Sequence, residues 1–123
     1  MIDVTDEQFQ ELINKAFDRL PQPHRDNVKN VALLHSNEPT PEQRIQLELR
    51  NDQTLLGLYE GVPLSRRNGH ERTLPDKITL FKLPLSYSVN TIDELQQEVY
   101  HTLWHEIAHY YGLDHADIHR LEQ

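Results

Sequence analysis

The residues with the clearest chemical capacity lie in one stretch, His105-Glu106-Ile107-Ala108-His109-Tyr110-Tyr111-Gly112-Leu113-Asp114-His115, which reads H-E-x-x-H-x-x-G-x-x-H. On a helix, residues four apart share a face one turn apart, so His105 and His109 can offer two imidazoles to one metal ion. Glu106 lies about 100° round the helix from His105, within reach of a water on that metal without ligating it. Gly112 is the residue expected where a chain leaves a helix at positive φ. The turn it makes can bring back a third ligand, for which His115 is the candidate and Asp114 the alternative. A catalytic zinc needs three protein ligands and one open position for water, and this segment can supply both.

The length of the pattern separates it from chance. In a chain with eight histidines, random placement gives the full motif with odds of roughly 1 in 10,000. A His-rich surface helix capped by a glycine is therefore a poor account of it. The ladder extends backward to His101, but eight residues of helix rise about 12 Å, and one ion with bonds of about 2.1 Å cannot take both His101 and His109. Only the His105–His109 pair brings Glu106 and the Gly112 turn with it. His101 is accordingly expected to stand beside the site without ligating.

A helix must hold these residues, and the sequence provides one. Thr91-Ile92-Asp93-Glu94 has the form of a capping box. Leu95, Val99, Leu103 and Ile107 then descend one side, widened by Trp104, Ala108 and Tyr111, while Glu94, Glu98, His101, His105 and His109 occupy the opposite arc. The motif histidines thus fall on the polar side of a half-buried helix. A first capping box, Thr5-Asp6-Glu7-Gln8, opens an amphipathic helix with apolar residues at Phe9, Leu12, Ile13, Ala16, Phe17 and Leu20, ended by Pro21 and Pro23. This helix is expected to cover one face of a sheet.

Strands are expected in Val28 to His35, around the apolar run Val31-Ala32-Leu33-Leu34, in Thr54 to Val62, and in Lys77 to Leu83 with Pro84 as its limit. His35 is expected to be structural or solvated. Gly57 and Gly61 suggest a bulge or a close backbone approach in the second strand. Pro41-Glu42-Gln43-Arg44 can begin a short helical turn. Pro63 to Asp76 reads as a loop carrying Arg66, Arg67, His70 and Arg72, and Ala116 to Gln123 as a short final helix. No internal repeat or low-complexity tract is present, and the 123 residues suit a single domain, 1–123.

Composition narrows the classes. There is no cysteine, so any metal must be held by His, Asp or Glu. A formal charge of −8 argues against nonspecific binding to nucleic acid. The start of the chain, Met1-Ile2-Asp3-Val4-Thr5-Asp6-Glu7, has neither a basic region nor a long apolar run, so no signal peptide is expected. Nothing approaches the roughly 20 apolar residues of a membrane span. The expectation is a soluble cytoplasmic protein; oligomeric state is not legible.

The chain resembles the minimal zincin-like metallopeptidase family of small bacterial proteins. The likeness runs over nearly its whole length: the first helix, Leu55-Leu56-Gly57-Leu58-Tyr59-Glu60-Gly61-Val62-Pro63-Leu64, Leu74-Pro75-Asp76-Lys77-Ile78-Thr79-Leu80-Phe81, and the H-E-x-x-H segment. The resemblance implies an α+β, minimal zincin-like fold, with a small mixed β-sheet of three to four strands packed against the N-terminal helix and the active-site helix. It also implies His105 and His109 as ligands and Glu106 as the catalytic carboxylate. The family often has Asp where this chain has His115, which keeps a ligand at that position. The motif spacing is also that of the metzincins, whose Met-containing turn beneath the zinc has no counterpart here, since the only methionine is Met1. With eight residues after His115, a far wall to the cleft is not expected, and the site should be shallow and open.

The leading functional reading is a zinc-dependent metallopeptidase that hydrolyses peptide bonds through a metal-activated water, with Glu106 as general base and a peptide or protein as substrate. Tyr59, His70 and Tyr87 are the candidates for stabilising the oxyanion. One rival is a zinc endoribonuclease of the H-G-x-x-H-x-x-G-x-D-H type, whose ending Leu113-Asp114-His115 fits closely; Glu106, where that pattern has Gly, speaks against it. The other is a non-catalytic metal- or peptide-binding protein on a zincin frame.

Overall fold

The computed structural model describes residues 1–26, 28–61 and 76–112. In chain order the elements are α1 (Asp6–Arg19), α2 (Gln22–Asp26), β1 (Val31–Ser36), α3 (Pro41–Gln46), β2 (Gly57–Glu60), β3 (Asp76–Phe81), α4 (Lys82–Tyr87) and α5 (Ile92–Tyr111). The class is α+β. The strands form one mixed sheet in the order β1-β3-β2, with β1 parallel and β2 antiparallel to β3. No helix among the described residues is long and apolar enough to cross a membrane.

Side-chain period decides what packs where. Residues two apart on a strand share a face, so Val31 and Leu33 on β1, Gly57 and Tyr59 on β2, and Asp76, Ile78 and Leu80 on β3 point the same way. Against that face lie Phe9, Ile13 and Ala16 of α1 and Leu95, Val99, Leu103 and Ile107 of α5, all buried. Each fully buried side chain of this size contributes about 1.5–3 kcal/mol relative to exposure. The core is thus the seam between sheet, α1 and α5, and it fixes the rotation of α5.

The ends of the two long helices are set by local chemistry. Thr5 caps α1, accepting from the Gln8 N–H at 3.0 Å while the Gln8 side chain accepts from the Thr5 N–H at 2.8 Å. Thr91 accepts from the Glu94 N–H and donates its hydroxyl to the Glu94 carboxylate, both at 3.1 Å. Only the first arm of the expected box forms there, because Glu94 folds back onto the Thr91 hydroxyl rather than its N–H.

Four boundaries differ from those expected. The prolines after α1 end it, yet Pro23 also sits inside α2, since a proline in a first helical turn forfeits no intrahelical bond. The same reason corrects Pro84. The third strand stops at Phe81 rather than Leu83, and Lys82-Leu83-Pro84 becomes the first turn of α4, with the Leu83 N–H held by the Asn37 carbonyl at 3.1 Å. The second strand is the shorter Gly57–Glu60. The first begins later and ends at Ser36. At α3 the helical turn expected from Pro41 extends to Gln46, behind a full capping box between Thr40 and Gln43. The loop expected over Pro63 to Asp76 lies outside the described residues except for Asp76, which instead opens the third strand, and the final helix at Ala116 to Gln123 lies outside them altogether.

Candidate metal centre

The site is built on the second half of α5. Leu103 and Ile107 are sealed in the core, and the hydroxyl of buried Tyr110 donates to the Lys29 carbonyl at 3.2 Å. Tyr111 donates to the His24 carbonyl. With these anchors turned inward, His105 and His109 emerge half-buried on the opposite side. Their rings lie 4.8 Å apart, centroid to centroid, at 77° to each other. One donor atom from each of His105, Glu106 and His109 can be chosen so that all lie within 4.8 Å of one another. Two imidazoles at this spacing, with no thiolate in the chain, suit zinc, and the carboxylate beside them suits a water on it. The helix ends at Gly112, at φ 86° and ψ 21°, a conformation that a residue without Cβ adopts without strain.

Glu106 is the buried member of the site. Only 8% of it is exposed. Burial disfavours its charged form and pushes its carboxyl up to about 7, partly opposed by a hydrogen bond from the Tyr59 backbone N–H. The strand that supplies this bond is positioned by its own ladder. The Phe81 N–H donates to the Leu56 carbonyl at 2.9 Å, which turns Leu56, Leu58 and Glu60 toward β3. Alternation then turns the backbone groups of Gly57 and Tyr59 outward, toward α5.

The close approach expected of a glycine in this strand occurs at Gly57. A Cβ there would lie 2.7 Å from Cγ2 of Thr102 and 3.0 Å from Cδ2 of Leu80. β2 therefore rests directly on α5, one turn before the motif. Beside it a recess of about 330 Å³ opens onto His105 and Glu106, with Gly57, Thr102, Glu98 and His101 around it.

Of the residues singled out by sequence, His105, Glu106 and His109 converge. His115, its alternative Asp114, and His70 lie outside the described residues. Tyr59 reaches the site through its backbone, while its hydroxyl donates to Asp76 Oδ2 at 2.7 Å. Tyr87 is half-exposed on α4 and is not among the residues around the recess. His101 stands exposed beside the site. Sequence reasoning missed the Tyr59 N–H, Thr102 and the part of Glu98 in the recess; only Gly57, an oddity in a strand pattern, signalled that a backbone would come close.

A family model described as zincin-like metallopeptidase matches residues 28–123. No curated protein is significantly similar to the chain. Among solved structures, a conserved hypothetical protein from Thermo thermophilus is similar with a TM-score of 0.59 at 22% identity, over 88% of this chain and 94% of that one. At that identity the likeness speaks to fold alone.

Proposed function

The chain belongs to the zincin-like metallopeptidase family, and on that premise we propose that it is a zinc-dependent peptidase in which His105 and His109 hold the metal, His115 completes the ligand set and Glu106 is the general base. The observation that carries this reading is the buried Glu106 carboxyl, raised to about 7, within 4.8 Å of two imidazoles at metal-ligand spacing.

Zinc, when bound, would polarise a peptide carbonyl and acidify a water. The protein's own groups do the rest. Glu106 is placed to take a proton from the attacking water and return it to the leaving amine, and burial makes its carboxylate a better proton acceptor than an exposed one. The Tyr59 N–H fixes the orientation of that carboxylate. A peptide entering the recess beside His105 and Glu106 can present its carbonyl at the His105–His109 face.

The test is metal analysis of protein purified without chelator, joined to digestion of a broad peptide library. About one zinc per chain and cleavage abolished in Glu106→Gln, with metal retained, are expected. Zinc without cleavage of any peptide would leave a metal-binding protein on a zincin frame and overturn the enzymatic reading.

A further inference from the structure

The recess beside His105 and Glu106 has a chemistry of its own. At about 330 Å³ it lies at the small end of ligand pockets, room for one long side chain rather than a cofactor. Gly57 and Thr102 line it together, where the missing Cβ of Gly57 lets strand and the Thr102 methyl meet. Leu56 adds apolar surface at the rim. Glu98 and His101, one turn apart on α5, form the polar wall.

Among the described residues, no Lys or Arg lines the recess. The Glu98 carboxylate makes no hydrogen bond or ion pair with another described residue, unlike Glu94 on the previous turn, which is taken up by Thr91. Apolar surface from Leu56 and the Thr102 methyl, beside a carboxylate that no described residue engages, matches a side chain with an aliphatic stem and a cationic head. It also disfavours an acidic side chain, whose charge would be brought against Glu98.

We propose that this recess is the specificity pocket of the site and takes the lysine or arginine side chain of a peptide residue next to the scissile bond, with Glu98 as the residue that selects it. The inference rests on the peptidase reading for its place in a reaction, but the pocket can be tested apart from turnover.

Two measurements test it on the full-length, zinc-loaded chain. In the first, a mixed peptide library is digested and the cut sites are read by mass spectrometry. Lys or Arg should be enriched about tenfold on one side of the cut. Glu98→Gln should erase the enrichment, and Glu98→Lys should turn it toward Asp and Glu. In the second, fluorescein-labelled Ala-Ala-Lys-Ala-Ala and its norleucine counterpart are titrated by anisotropy against the Glu106→Gln variant, which binds without cutting. The lysine peptide should bind about tenfold tighter, and the double variant with Glu98→Gln should lose the difference. Cleavage with no basic preference, or a preference that survives Glu98→Gln, overturns the pocket and leaves the peptidase reading standing. No cleavage but a Glu98-dependent binding preference supports the pocket and removes the reaction. Neither cleavage nor preferential binding overturns the pocket as well.

Discussion

The backbone N–H of Tyr59 donates to the carboxylate of Glu106, so the edge strand and the motif helix meet at the group proposed as the general base. Tyr59 is locked in turn: its hydroxyl is on Asp76, 1% exposed, and its ring sits 6.2 Å from that of Tyr110 at 78°. Strand β2 is thereby held at both its side chain and its backbone, and Glu106 with it.

That arrangement predicts a pH dependence of stability in the metal-free protein. Glu106 has its carboxyl raised from 4.5 to about 7 on folding. Below pH 4.5 it is protonated in both states and costs nothing. As pH rises toward 7 the unfolded chain loses the proton while the folded one keeps it, so stability falls. The loss is complete above the folded value and amounts to about 3 kcal/mol. Glu106→Gln removes the titration. Urea unfolding of parent and variant at several pH values, in the presence of chelator, should show the variant gaining on the parent between pH 4.5 and 7. A constant difference across that window would contradict the burial argument. Zinc beside the carboxylate favours its charged form, so the slope should shrink in metal-loaded protein.

The metal ligands make a second prediction. His109→Ala should lose zinc, because a pair on one helix face is reduced to one. His101→Ala should keep about one zinc per chain and change affinity by no more than the roughly 10- to 100-fold typical of residues that support ligands without binding. Dialysis against a zinc buffer with metal analysis distinguishes them. A folded His101→Ala protein devoid of metal would place the centre one turn earlier on α5.

How much of this was legible beforehand follows from what a sequence records. The long helices were, because Phe9, Leu12, Ile13 and Ala16, and Leu95, Val99, Leu103 and Ile107, repeat at helical spacing around caps at Thr5 and Thr91. His105, Glu106 and His109 were legible for the same reason, since four-residue spacing on a helix is already geometry. Helix α4 was hidden behind Pro84, which reads as a stop whether it closes a strand or opens a helix. The hold on Glu106 was hidden more deeply. A backbone N–H has no side-chain signature, and whether Tyr59 turns it inward or outward depends on its register with Ile78 across the ladder.

The Tyr59 hydroxyl gives a third prediction. Tyr59→Phe leaves the ring on Tyr110 but removes one hydrogen bond from a buried carboxylate. Losing a partner of such a group costs about 1–3 kcal/mol. Guanidinium unfolding followed at Trp104, the chain's single tryptophan, should show a lower midpoint at unchanged slope. An unchanged midpoint would mean that Asp76 is not held through this hydroxyl.

Gly57 joins fold and chemistry, and its replacement should separate them. A methyl group at this position would meet Thr102 Cγ2 at 2.7 Å and Leu80 Cδ2 at 3.0 Å. Leu80 is sealed in the core and Thr102 is nearly so, so neither neighbour can give way freely, and the strand has to lift from α5. Gly57→Ala should therefore destabilise by about 1–3 kcal/mol, the usual cost of overpacking, despite the gain in chain entropy that a Gly→Ala change otherwise brings. Lifting β2 also draws the Tyr59 N–H away from Glu106. The bond opposes the upward push of burial, so weakening it should raise the Glu106 carboxyl further. The acid limb of the proposed peptidase activity would then move to higher pH, with zinc content unchanged. Replacing Thr102 by Ser at the same time deletes the methyl that collides, and should return both the stability and the pH profile toward those of the parent. If Gly57→Ala is as stable as the parent, or if Thr102→Ser does not rescue it, the contact between this strand and the motif helix is not what sets the position of Glu106.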